Sequence, residues 1–203
     1  MWSKLQAIFH ALNTRGAVFP HQLAFTLLIP LRNWALSPRQ LVCRLSLAPD
    51  MQILEVGCGP GYFSPALAQA VPQGRLVLAD IQPEMLAYAQ KRLQRRGIRH
   101  VEYYLCDGRG FAFADQCFDR IVLVTVLGEL ADPAGYLNEF RRLIQPEGWV
   151  SVSEAAGDAD RIRRDALCAL MRQHGFEPVA QFGSEGRYTV NFRLASQSSP
   201  KAT

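Results

Sequence analysis

From Met51 onward, short apolar runs alternate with segments whose apolar residues recur every three to four positions. Ile53–Val56, Arg75–Asp80 and Val101–Leu105 read as strands. Asp119–Val126 reads as a fourth, and its unbroken apolar run suits burial on both faces. Between them, Phe63–Val71 and Glu84–Arg96 carry helical spacing, with Met85, Tyr88, Ala89 and Leu93 on one face of the second. Pro133–Ile144 reads as a helix, with Asp132 as its N-cap and Pro133 as its first residue. A turn over Gln145–Gly148 leads into a fifth strand, Trp149–Glu154, and Arg161–His174 is a helix stopped by Gly175. Two final strands, Glu177–Phe182 and Arg187–Leu194, are joined through Gly183 and Gly186 at hairpin spacing. The pattern predicts a doubly wound α/β fold: a mostly parallel seven-stranded sheet, helices on both faces, and a C-terminal antiparallel hairpin.

The first 50 residues break this alternation. Leu5, Ile8, Phe9 and Leu12 have helical spacing, Phe19–Leu31 is apolar with two prolines, and Pro38–Leu47 reads as a helix capped by Ser37. Residues 1–50 are expected to form a helical extension covering the site, residues 51–195 the α/β domain, and residues 196–203 a flexible tail.

Composition narrows the class. With 203 residues, 49% of them hydrophobic, the chain can bury one sizeable core. The net charge of +4 is mild. Lys91, Arg92, Arg95, Arg96 and Arg99 cluster at a predicted helix end, where cations suit the dipole, so no nucleic-acid partner is expected. Five cysteines without a C-x-x-C pair predict neither a disulfide framework nor a metal site. The N-terminus lacks a secretory pattern, and the longest apolar run, Leu23–Leu31, is about half the ~20 residues of a membrane span. A cytoplasmic protein without a transmembrane segment is expected.

The chemistry concentrates after the first strand, in Ile53-Leu54-Glu55-Val56-Gly57-Cys58-Gly59-Pro60-Gly61-Tyr62. Ligands of doubly wound sheets bind at the carboxyl ends of the strands, and glycines there let the backbone turn sharply. The spacing is G-x-G-x-G, whereas the dinucleotide fingerprint requires glycine or alanine where Tyr62 stands. The phosphate loop G-x-x-x-x-G-K-[ST] is absent. Glu55 suits a cationic amine and would repel a pyrophosphate. Asp80, ending the second strand, can accept from a ribose diol, and Asp107-Gly108, after the third, can meet an exocyclic amine.

Taken in order, several motifs carry a resemblance. They are Leu-Glu-Val-Gly-Cys-Gly-Pro-Gly, Leu-Ala-Asp-Ile-Gln-Pro-Glu-Met-Leu, Cys-Asp-Gly, Phe118-Asp119-Arg120-Ile121-Val122, and Asn138 through Gly148. Residues 51–155 resemble the core of a class I S-adenosylmethionine-dependent methyltransferase of the type 11 kind, a Rossmann-like fold. The resemblance implies S-adenosylmethionine as cofactor, cradled by Gly57, Cys58, Gly59 and Gly61 with Glu55 supporting the loop. It implies Asp80 on the ribose, Ile81 and Met85 near the adenine, Asp107 and Gly108 at its edge, and Thr125 and Val126 beside the methyl-bearing side. Where relatives often carry histidines after the fourth strand, this sequence reads Val126-Leu127-Gly128-Glu129-Leu130.

The candidate catalytic residues are therefore Glu129, as general base or substrate contact, and His21, as proton carrier. Phe19, His21, Phe25 and Trp34 are candidates for an apolar roof, which points to a small apolar or aromatic acceptor or to peripheral contact with a membrane. A non-catalytic S-adenosylmethionine-binding sensor or subunit is the alternative. An oxidoreductase is disfavoured by Tyr62 and Glu55. An RNA or protein methyltransferase would carry an added module or an Asn-Pro-Pro-Tyr-type signature, and neither is seen.

Overall fold

The computed structural model describes residues 36–155 and 160–195. Helix α1 (Pro38–Leu45) is fixed by a capping box: Ser37 Oγ accepts from Gln40 N at 3.2 Å and Gln40 Oε1 accepts from Ser37 N at 3.0 Å. The chain continues through β1 (Gln52–Val56), α2 (Ser64–Ala70), β2 (Arg75–Asp80), α3 (Pro83–Gln94), β3 (Val101–Leu105) and β4 (Phe118–Val124). A 3-10 turn (Leu127–Glu129), α4 (Pro133–Leu143), β5 (Ile144–Glu154), α5 (Arg164–Gln173), β6 (Phe176–Ser184) and β7 (Arg187–Leu194) complete it.

The seven strands lie in the order β3-β2-β1-β4-β5-β7-β6. Strand β7 runs opposite to the other six. The strand order reverses between β1 and β4, which creates a crevice at their carboxyl ends. The fold is the one expected from the sequence.

Two apolar layers sandwich the sheet, and the period-2 alternation of β1 assigns its residues to them. Leu54 and Val56 join Phe118, Phe140, Tyr188 and Phe192 on the side of α4 and α5. Ile53 joins Leu41, Leu67, Leu76 and Leu93 on the side of α1, α2 and α3. Glu55 therefore points toward α2 from within the sheet. Helix α1 is held to the sheet by polar ties. Arg120, 5% exposed, donates to Leu45 O (2.8 Å) and Ser46 O (3.2 Å) and lies 4.3 Å over the Trp149 ring. Asn191 Nδ2 donates to Arg44 O at 2.7 Å, and Arg44 Nη1 to Thr189 Oγ1 at 2.8 Å.

Three local expectations change. Strand β4 stops at Val124, because Thr125 turns into the left-handed region with φ +55°. Residues 145–148 are a bulge inside β5, not a turn before it: Phe118 pairs with Ile144 and Arg120 with Trp149. Gly148 permits this, since a Cβ there would stand 2.8 Å from Ile144 Cδ1 and 3.0 Å from Asp119 O. Tyr88 is 41% exposed, because Met85, Leu86, Ala89 and Leu93 define the buried arc of α3 and Tyr88 falls outside it.

Candidate functional site

A cavity of about 220 Å³ opens at the carboxyl ends of β1, β2 and β4. One wall is the loop from Glu55 to Gly59, with Pro60, Tyr62 and Phe63 behind it. Asp80, Ile81, Gln82, Met85 and Gly108 form the second wall, and Val124–Val126, Glu129–Ala131 and Tyr136 the third.

The glycine loop is stitched to the end of β2. Gly57 N and Cys58 N both donate to Ala79 O, at 2.8 and 3.1 Å, and Gly59 N donates to Asp80 Oδ2 at 2.9 Å. Gly57, Gly59 and Gly61 all have positive φ, at 64°, 53° and 74°. Space is as restrictive as conformation. A Cβ on Gly57 would lie 2.5 Å from Val126 Cγ2, and one on Gly61 would lie 3.0 Å from Ala89 Cβ. The loop is thus a bare backbone concavity pressed between Val126 and α3.

Two carboxyls are buried under it. Glu55 is 4% exposed and accepts from Ser64 Oγ at 2.6 Å. Burial pushes its pKa up to about 8; the Ser64 bond opposes this and the nearby Asp80 adds to it. Asp80 is 6% exposed, and its Oδ1 accepts from Gln82 N at 2.9 Å. Burial also raises Asp80, against the pull of its backbone donors. Each Asp80 oxygen already holds one backbone N–H, which fixes the carboxylate while leaving lone pairs for a ligand. The thiols of Cys58 and Cys106 are raised chiefly by burial, so both are neutral.

The third wall is set by Thr125. A β-branched residue at φ +55° is strained, and its N–H is tied to Ser153 O at 2.8 Å. That bend seats Val126 on Gly57 and starts the 3-10 turn that carries Glu129. Gly128 lies so close to Asp160 O that any side chain there would collide. The face offered by Val126, Leu130 and Ala131 is apolar, with Glu129 its ionisable group among the described residues.

Glu55, Gly57, Cys58, Gly59, Asp80, Ile81, Met85, Gly108, Thr125, Val126 and Glu129 all line this one cavity. Gly61 stands just behind the loop, against Ala89. Asp107 is exposed, and its Oδ1 accepts from Arg109 N at 2.9 Å in a local turn, so only Gly108 of that pair reaches the cavity wall. Phe19, His21, Phe25 and Trp34 lie outside the described residues. Phe63, Gln82, Leu130, Ala131 and Tyr136 also line the cavity without having been singled out. Phe63 directly follows the glycine loop and Gln82 lies inside the motif that contains Asp80, which is a usable signal. Tyr136 has none, because it reads as a core position of α4.

These features fit S-adenosylmethionine: a bare loop for a methionine moiety, a buried carboxyl for its ammonium, and a fixed carboxylate for a ribose diol. Among the described residues no group of His, Cys, Asp and Glu could hold a metal, and no helix is long and apolar enough to cross a membrane.

Comparison with known proteins agrees. A family model described as a methyltransferase domain matches residues 47–183. The ubiquinone/menaquinone biosynthesis C-methyltransferase UbiE of Cupriavidus metallidurans is 32% identical over 114 residues, which is 56% of this chain and 46% of that protein. The chain spans about half the length of the curated relatives it matches. A SAM-dependent methyltransferase from Aquifex aeolicus has a TM-score of 0.81 at 20% identity, covering 88% of this chain and 100% of its own. The glycopeptide N-methyltransferase MtfA complexed with sinefungin has a TM-score of 0.64 at 16% identity, over 78% of this chain and 85% of its own. These two likenesses are of fold.

Proposed function

The chain belongs to the methyltransferase-domain family, and from that premise we propose that it transfers a methyl group to a small apolar or aromatic acceptor. Its cofactor is S-adenosylmethionine. One observation carries the proposal: a single cavity joins the glycine concavity and two buried carboxyls to an apolar wall with one carboxylate.

Gly57, Cys58 and Gly59 would hold the methionine moiety, with Gly61 allowing the loop to close on α3. Glu55 would face the ammonium and Asp80 the ribose hydroxyls. Ile81, Met85 and Gly108 would contact the adenine, with Asp107 at its outer edge. When bound, the cofactor supplies an already activated sulfonium methyl. The residues therefore have mainly to orient an acceptor in line with it, which is worth up to about 7–11 kcal/mol in well-placed systems. Val126, Leu130 and Ala131 would exclude water from the acceptor. Glu129 would take a proton where the acceptor starts protonated, with His21 as a second candidate. The relatives named C-methyltransferases favour carbon as the atom methylated. A cytoplasmic location is in keeping with five free cysteines. The apolar N-terminal sequence leaves room for contact with a membrane surface.

Calorimetric titration of S-adenosylhomocysteine and, in parallel, NAD into the wild type and Asp80→Ala tests the site. Binding of the first, lost in the variant, is expected. Binding of NAD alone would overturn the assignment. Transfer of labelled methyl to a panel of phenols, enols and quinols then tests the acceptor class, and turnover confined to charged peptides or RNA would refute it.

A further inference from the structure

The segment from Asp107 to Cys117 has no regular secondary structure, yet it supplies Gly108 to the cavity wall. Its backbone groups must find partners elsewhere. Arg142, near the end of α4, provides three of them. Its Nη2 donates to Phe111 O at 2.9 Å and its Nη1 to Phe113 O at 2.8 Å. The same guanidinium pairs with Glu139 (2.9 Å) and Asp115 (2.7 Å). Glu139 Oε2 in turn accepts from Phe111 N at 3.3 Å, and Arg142 O accepts from Gln116 N at 2.9 Å. Gly110 lies directly on this pair, since a Cβ there would be 3.2 Å from Glu139 Oε2.

The clamp reaches the cavity by two routes. One is the chain itself, three residues from Phe111 back to Gly108, whose φ is +82°. The other is aromatic: Phe111, 5% exposed, meets the ring of cavity-lining Tyr136 edge-on at 5.8 Å. Arg142 is not itself a lining residue of the cavity. Its planar fork engages two carbonyls and two carboxylates at once, a geometry that an ammonium cannot reproduce.

We propose that Arg142, with Glu139, is a positioning residue that holds the Gly108 segment and the Tyr136 ring in place as the wall that recognises the adenine base. The inference rests on the cofactor reading given above. It predicts a loss of base selectivity, not merely of stability. A general loosening of the fold would weaken all cofactor analogues alike, whereas displacement of this wall affects recognition of the base edge.

The experiment compares calorimetric binding of S-adenosylhomocysteine with that of S-inosylhomocysteine, which lacks the exocyclic amine. Wild type, Arg142→Ala and Arg142→Lys are used at a temperature where circular dichroism shows each folded. Arg172→Ala, which removes the surface pair with Glu177, is the control. The wild type is expected to prefer the adenine form. In Arg142→Ala that preference should shrink about tenfold or more, toward parity, with an intermediate value in Arg142→Lys and no change in Arg172→Ala. A preserved ratio in folded Arg142→Lys overturns the inference, whether or not the alanine variant folds. Failure of the wild type to bind S-adenosylhomocysteine at all would instead sink the cofactor assignment on which it rests.

Discussion

Glu55 couples the site to pH. In the unfolded chain its carboxyl titrates near 4.5, while in the fold burial raises it to about 8. Between these two values the unfolded state has lost the proton that the native state keeps. Stability contributed by this group is therefore fully present below about pH 4.5 and is lost as the pH rises to about 8. The slope for one proton is about 1.4 kcal/mol per pH unit, so the full span is worth roughly 5 kcal/mol. The isosteric Glu55→Gln removes the titration and keeps the shape. Asp80, shifted in the same direction by burial, is left in place, so the difference between the two proteins reports Glu55 together with its coupling to Asp80. Urea unfolding of both, without cofactor, at intervals from about pH 5 to about pH 9.5 is the assay. The wild type should lose its advantage over the variant by about 1.4 kcal/mol per pH unit and then level off. Binding should show the mirror image. An ammonium beside Glu55 favours the carboxylate, so cofactor affinity should rise with pH and binding below pH 8 should release about one proton. Parallel stability curves for the two proteins would refute the reasoning, because they would mean that Glu55 is already ionised where it sits.

Three further outcomes follow from the geometry. Gly57→Ala drives a Cβ to 2.5 Å from Val126 at a φ of +64°, and should cost about 2–4 kcal/mol in chemical unfolding while abolishing S-adenosylhomocysteine binding. Thr125→Gly relieves a strained β-branched residue, and should leave the melting temperature unchanged or raise it, a gain of at most about 1 kcal/mol; a clear fall would count against strain at that position. Arg120→Met strips the donors from Leu45 O and Ser46 O at the end of α1, and should cost about 2–4 kcal/mol in urea unfolding with cofactor affinity unchanged.

What the sequence discloses depends on whether a residue's role is also its local signal. The glycine loop announces itself because positive φ and close approach both exclude side chains, and Gly57 and Gly61 show both constraints. Asp80 is legible because it closes the strand next to β1, at the carboxyl end of the sheet where ligands of this fold lie. Tyr136 is illegible for the opposite reason. It occupies the buried stripe of α4 with Leu137, Phe140 and Leu143, and periodicity marks all four as core. Only the third dimension shows that one of them ends at a cavity. The bulge at 145–148 and the early stop of β4 have a similar origin. Pairing with β5 fixes both through Gly148 and Ser153, and such partners are invisible to a pattern read along one strand. Arg142 sits between these cases. It stands in one of the stretches that carry the resemblance, yet its five side-chain bonds to the 111–115 segment and Glu139 are long-range facts or partner choices that the stretch does not state. The walls of a binding site built from helix faces and irregular loops will therefore be underestimated from sequence, while its backbone cradle will not. Gly57 and Asp80 therefore stand out along the chain, whereas Leu130, Ala131 and Tyr136 on the facing walls of the cavity do not.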